Sequence, residues 1–164
     1  MPITSGMMSS NRHDWETPQD LFDDLNAEFH FTLDVCATAK SAKCERYFTP
    51  DEDGLQESWR DKVCWMNPPF GKEIPAWICK AYYESQQCTV VCLIPVRSDT
   101  RNWYEYVMRA SEIRFIADRC WFTLDGVKKK RAPFPSAIVV FKATSRSPKI
   151  STYILPHRRE ANPT

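Results

Sequence analysis

The sequence predicts an open α/β sheet, mostly parallel, with helices on both faces and an antiparallel last strand. Three observations carry this prediction. Strand-like and helix-like stretches alternate up to Ala110 and then give way to strands alone. Thr89 to Val96 is almost continuously apolar, as expected of a central parallel strand covered on both faces. Val63 to Met66, a short β-branched and aromatic run, stops at Asn67-Pro68-Pro69-Phe70-Gly71 before a helical pattern begins. A loop leaving the carboxyl end of a strand and opening into a helix is where open α/β sheets bind ligands.

The ordered part starts at Asp14 to Asp20, with Thr17 placed to cap a helix and Pro18 at its first position. Leu21, Phe22, Leu25 and Phe29 then give that helix one apolar face, over about three turns. Phe31 to Ala37 alternates apolar and polar residues and reads as a strand. Asp34 is anomalous there, because a carboxylate in a strand bound for the interior is costly unless it is paired or near a ligand. Arg46 to Thr49 reads as a short second strand, and Thr49 to Gly54 as an acidic turn leading through Leu55 to Trp59 toward the Val63 strand.

From Glu73 to Glu84, Trp77, Ile78, Ala81 and Tyr82 recur at helical spacing behind Pro75, a residue suited to a first helical turn. After the Thr89 to Val96 strand, Arg97 to Arg101 sits at its carboxyl end, on the same rim as Asn67 to Phe70 if the two strands are parallel. Trp103 to Met108 reads as a helix, and Ile113 to Ala117, Cys120 to Leu124 and Ser136 to Phe141 as strands. Between the last two, the tight-turn dipeptide Asp125-Gly126 precedes Lys128-Lys129-Lys130-Arg131, read as four cations on a protruding loop. Beyond Thr144 the chain is polar apart from Tyr153-Ile154-Leu155. The expected organisation is therefore a flexible N-terminus over 1–13, one domain over 14–144 and a C-terminal tail over 145–164.

A chain of 164 residues is enough for one domain with a substantial core and hardly for two. Hydrophobic content of 43% lies in the globular range, and no apolar run approaches the ~18 residues of a membrane span. Met1 to Ser10 lacks the charged start and apolar stretch of a secretory signal, so a cytoplasmic location and no membrane partner are expected. The seven cysteines form no C-x-x-C pair, and His13, His30 and His157 lie far from any cluster of them. No metal site is expected, and the thiols read as small buried hydrophobes in a reducing compartment. A formal charge of +1 gives no global pull toward nucleic acid, so any such binding rests on a local patch such as 128–131.

The Asn67 loop has a definite chemistry. Pro68 fixes its own φ, lacks an N–H and pushes Asn67 out of the helical region, so the backbone is stiff. The loop presents carbonyl acceptors, a side-chain amide and the ring of Phe70 at one rigid spot. That set suits a planar ring bearing an amino group. It does not by itself separate adenine from cytosine, or DNA from RNA.

Asn67-Pro68-Pro69-Phe70 resembles the [DNS]-P-P-[YFW] motif of amino-methyltransferases that use S-adenosylmethionine to modify adenine N6 or cytosine N4. A wider set runs in order from Trp15-x-Thr17-Pro18-x-x-Leu21-Phe22 through Leu33-Asp34-x-x-Ala37 and Asp53-Gly54-Leu55. It continues through Trp65-x-Asn67-Pro68-Pro69 and Leu93 to Thr100 to Ala132-Pro133-Phe134-Pro135-Ser136-Ala137. Together these are similar to the compact phage-type DNA N-6-adenine-methyltransferase family, over about Trp15 to Phe141.

The resemblance implies a single-domain Rossmann-like class I methyltransferase fold, S-adenosylmethionine as cofactor and double-stranded DNA as partner, in the cytoplasm of a bacterial host. It makes Asn67, Pro68, Pro69 and Phe70 catalytic, holding a flipped base. Trp15, Thr17 and Pro18 would meet the methionine part of the cofactor. Asp34 would lie near its amino or ribose groups, Ala37 and its neighbours would give the close backbone approach to it, and Asp53 with Leu55 would hold its adenine. Arg97, Arg101, Lys128, Lys129, Lys130 and Arg131 are the candidates for phosphate contacts. The chain departs from related methyltransferases in lacking a glycine-rich loop after the first strand: Gly54 is its only glycine between Asp34 and Asn67. That departure favours an alternative, a nucleic-acid-binding protein on a methyltransferase-like scaffold without cofactor. Cytosine N4 and adenine in RNA are the alternatives within the same chemistry.

Overall fold

A computed structural model describes residues 15–124, 126–143 and 147–159, with the side chains of Lys128 and Lys129 outside the description. The expected flexible N-terminus, 1–13, lies outside the described residues.

Helix α1, Gln19–Phe29, follows the N-terminal strap 15–18. Next come β1, Leu33–Asp34, then β2, Val63–Met66, α2, Ile74–Glu84, and β3, Thr89–Pro95. A short α3, Arg101–Glu105, runs into a 3-10 turn at Val107–Arg109 and then β4, Glu112–Ala117. Trp121–Leu124 and Val127–Arg131 form β5 and β6, Ser136–Phe141 forms β7, Lys149–Ile154 forms β8, and Pro156–Arg159 forms α4.

Six strands make one sheet in the order β1-β2-β3-β7-β4-β8. Strands β1, β2 and β3 are parallel neighbours, and β8 runs parallel to β4. Among the described residues, only β7 of this sheet is antiparallel, inserted between β3 and β4. The mostly parallel α/β sheet of the sequence reading is thus present, but its antiparallel strand is the next to last in the chain.

Both faces are covered. Ile74, Trp77, Ile78 and Ala81 of α2 pack with Cys64, Met66, Val90 and Cys92 on one face. Leu21, Phe22 and Leu25 of α1 pack with Trp65, Val91 and Leu93 on the other. Alternate residues of β2 and β3 therefore serve two cores, which is why the Thr89 to Val96 run is almost continuously apolar.

Four sequence readings are corrected. Thr17 does not cap α1: the helix starts at Gln19 behind Pro18, and the Thr17 hydroxyl is engaged elsewhere. The helix expected over Trp103 to Met108 is split at Tyr106, whose φ of −119° is far from that of a regular helix while its ψ stays at −53°, so α3 ends there and a 3-10 turn follows. The strand expected at Arg46 to Thr49 is a single bridge, Tyr47 to Asp34. Finally, the basic segment is not a loop. Leu124 pairs with Val127, Gly126 has φ 76°, and Val127–Arg131 is the second strand of a separate hairpin.

The stretch read as a tail also enters the sheet. Lys149–Ile154 is one of its two edge strands, and Tyr153 and Leu155 are buried in the α1-side core. The sheet therefore runs past residue 144.

Candidate active site

The carboxyl ends of β1 and β2 open onto two adjoining hollows that share Cys36, Ala37 and Pro69. The smaller is lined by Trp15, Thr17, Asp34, Lys43 and Asn67, among others. The larger, about 250 Å³, is lined by Phe48, Asp53, Gly54, Leu55, Glu73 and Trp77, among others. Of the residues expected around a cofactor, Trp15, Thr17, Asp34 and Ala37 thus meet in the first, and Ala37, Asp53 and Leu55 in the second. Pro18 stands at the start of α1 and lines neither.

Asn67 sits where β2 ends. Its Nδ2 donates to the Trp15 carbonyl at 3.1 Å and to Thr17 Oγ1 at 3.0 Å, using both N–H groups. Its Oδ1 is buried with no hydrogen-bond partner among the described residues. An unpaired buried acceptor costs about 1–3 kcal/mol, a cost that a ligand donor relieves. Phe70 packs among three rings, edge-on to Phe122 and Phe134 at 5.3 Å each and to Trp15 at 6.1 Å.

Asp34 is 2% exposed. Its carboxylate accepts the backbone N–H of Lys43 at 3.0 Å and of Cys36 at 3.3 Å. Burial outweighs these donors and pushes its pKa up to about 7. A cationic group entering the hollow would stabilise the ionised form and offset the penalty.

Among the residues of the larger hollow that sequence reasoning missed are Trp77 and Gly54. In the sequence Trp77 is only one of the residues recurring at helical spacing, yet in the fold its Nε1 is buried without a partner among the described residues. The available signal was its type: an indole in an aliphatic helix face must find a partner for its N–H. Gly54 supplies a close approach that the missing first-strand glycines do not. A Cβ there would lie 2.2 Å from the Val35 carbonyl oxygen, so only glycine lets the acidic turn close against the end of β1.

The expected phosphate contacts are placed unevenly. Arg97 is exposed at the end of β3, with its guanidinium 5.9 Å from the Phe134 ring centroid. Lys130 Nζ lies 5.4 Å from the Trp15 ring centroid. Both stand beside the Phe70 cluster. Arg101 is ion-paired with Glu105 at 2.7 Å, and Arg131 with Asp118 at 2.5 Å. Among the described residues, no group of three or more His, Cys, Asp or Glu side chains could hold a metal ion, and no helix is long and apolar enough to cross a membrane. All seven cysteines are free.

Comparisons with known proteins bear on the family of the chain. The family model for DNA N-6-adenine-methyltransferase (Dam) matches residues 4–161. The DNA N-6-adenine-methyltransferase of Haemophilus phage HP1 (strain HP1c1) is 32% identical over 123 residues, 72% of this chain and 70% of that protein. The provisionally described methyltransferase YfdM of Escherichia coli (strain K12) is 30% identical over 63 residues, 34% of this chain and 69% of that protein. With a match over nearly its whole length and an Asn-Pro-Pro-Phe loop at the mouth of a two-part cleft, the chain belongs to the DNA N-6-adenine-methyltransferase family, whose reaction is methylation of adenine in DNA.

Proposed function

We propose that the chain binds S-adenosylmethionine in the two-part cleft and methylates N6 of an adenine flipped out of double-stranded DNA, with Asn67 to Phe70 holding the base. The observation that carries this reading is the unpartnered Asn67 Oδ1 at the cleft. The cleft also suits the cofactor. Asp34 would face its amino group, while Asp53, Leu55 and the orphaned Trp77 Nε1 would meet its adenosine.

When bound, S-adenosylmethionine supplies an electrophilic methyl group carried on a sulfonium. The exocyclic amine of adenine is a poor nucleophile, because its lone pair is delocalised into the ring. Asn67 Oδ1 and the Pro68 carbonyl each accept one of its N–H groups, which favours a pyramidal nitrogen and stabilises the positive charge that develops there. The stiff Pro68-Pro69 backbone would fix both acceptors, so that the lone pair of the held amine is free to meet the methyl group. A neutral amide suffices for this, since no proton leaves before the transfer. Phe70 and its neighbouring rings offer the apolar wall for the flipped base, whose extrusion costs a few kcal/mol.

Replacing Asn67 tests the reading. Asn67→Ala should lower methyl transfer from labelled cofactor to DNA by about 100-fold or more, with the fold intact by circular dichroism. Undiminished transfer would exclude the loop as the amine holder.

A further inference from the structure

We infer that Thr17 is a positioning residue for methyl transfer, acting through Asn67: its hydroxyl oxygen, with the Trp15 carbonyl, holds the amide so that Oδ1 is the atom left for the substrate. This rests on the proposed role of Asn67. It differs from the role the family resemblance implies for Thr17, a contact with the methionine part of the cofactor.

The argument is one of donor and acceptor inventory. An amide has two N–H donors and one oxygen, and a free amide in a hollow could present either end to a ligand. An aminated base needs the oxygen. At Asn67 the choice is made by the strap, because the Trp15 carbonyl can only accept and Thr17 Oγ1 lies beside it at 3.0 Å from the same Nδ2. Turning the amide over would set its oxygen against the carbonyl oxygen and leave its NH2 group, which can only donate, where the substrate donates. Thr17 is 2% exposed, so water does not substitute for its hydroxyl.

The strap is itself held from both sides. Glu16, between the two acceptors, exchanges backbone hydrogen bonds with Thr123 of β5 at 3.1 and 3.0 Å. Pro18 O accepts from the Phe22 N–H of α1 at 3.1 Å. Trp15 and Thr17 are thereby fixed relative to β2 by elements remote in sequence. A carbonyl cannot be mutated, but Thr17 can.

The test compares Thr17→Val, isosteric but without the hydroxyl, with Thr17→Ser, which keeps it. Thr17→Val should lower kcat at saturating cofactor by about 10- to 100-fold, as misplacement of a catalytic group does. The affinity for S-adenosylhomocysteine, read by calorimetry, should stay unchanged and report an intact fold. Thr17→Ser should restore kcat. Thr17→Ala, which removes the same oxygen without a methyl against Asn67, gives the same comparison if the valine disturbs packing. Wild-type kcat in Thr17→Val or Thr17→Ala overturns the inference, as does weakened cofactor binding with kcat unchanged, which would make Thr17 a cofactor contact. Asn67→Ala separates the two levels. If it stays active, the reading of the loop fails. If it is inactive while Thr17→Val turns over normally, only the inference about Thr17 fails.

Discussion

The side-chain nitrogen of Asn67 donates to the backbone carbonyl of Trp15 at 3.1 Å, across 52 positions of sequence. That contact makes asparagine, rather than the aspartate that the motif also allows, the residue that fits this site. In Asn67→Asp an oxygen would replace Nδ2 opposite an atom that can only accept, leaving two lone pairs facing each other in a partly buried spot. The expected outcome is a loss of about 1–3 kcal/mol in stability by denaturant melts. Methyl transfer should fall by about tenfold or more, as the displaced carboxylate no longer aligns with the amine. Wild-type activity and stability in that variant would show that the strap carbonyl does not select the residue.

Asp34 sets a pH dependence whose sign can be worked out. In the folded chain its carboxyl is raised from the ordinary 3.8 to about 7 by burial. Between these values the unfolded chain has released a proton that the fold retains, so this group costs the unliganded fold stability as pH rises through that window. A cationic amino group beside it reverses the preference and favours the ionised form. Cofactor affinity should therefore be highest above about pH 7 and weaken by up to tenfold per unit below it, with proton release on binding at about pH 6. Calorimetry in buffers of different ionisation enthalpy reads both quantities. Asp34→Asn should bind weakly and without this slope; an unchanged slope would remove Asp34 from the cofactor site.

Trp77 gives a prediction with two opposite signs. Its indole N–H is buried on the wall of the larger hollow without a partner among the described residues, while its ring stacks with Trp59 at 6.3 Å. Trp77→Phe removes the orphaned donor and keeps an aromatic ring. The unliganded protein should melt no lower than wild type, the relief of an unsatisfied donor, about 1–3 kcal/mol, offsetting the loss of ring area. The increase in melting temperature on adding S-adenosylhomocysteine should shrink, because the ligand loses a hydrogen bond. An unchanged ligand-induced shift would place the cofactor away from Trp77.

Much of this fold was legible in the sequence because its strands are either fully buried or end in punctuation. Thr89–Pro95 announces itself by continuous apolar character, and Val63–Met66 by the prolines that follow. What stayed illegible was set by long-range partners. Lys149–Ile154 alternates weakly, since as an edge strand it exposes Ile150 and Ile154 and buries Tyr153, so neither period nor composition marked it. The hairpin's second strand read as a loop because lysines at an exposed strand carry no apolar signal. At the site, residue types marked Asn67 and Asp34. The partner of Asn67 could not be read, because a threonine before a proline looks like a helix cap until the fold brings it to β2.

The phosphate-contact residues should separate by what already holds them. Arg97 and Lys130 lie over the rings of Phe134 and Trp15 beside the Phe70 cluster, and both are exposed. Arg131 is instead held by Asp118, which also pairs with Arg158 at 2.5 Å. The backbone N–H of Arg119 and the guanidinium of Arg131 keep the Asp118 carboxyl down to about 2, so this cluster stays ionised across the working range. The double variant Arg97→Gln/Lys130→Gln should lower DNA affinity and flatten the plot of log affinity against log salt by about 1.8, two phosphate contacts at about 0.9 each. Arg131→Gln should change that slope less, since its charge is already partly neutralised in the free protein. Fluorescence anisotropy of a labelled duplex over a range of salt concentrations measures both, and a slope unchanged in the double variant would place the DNA backbone elsewhere on the surface.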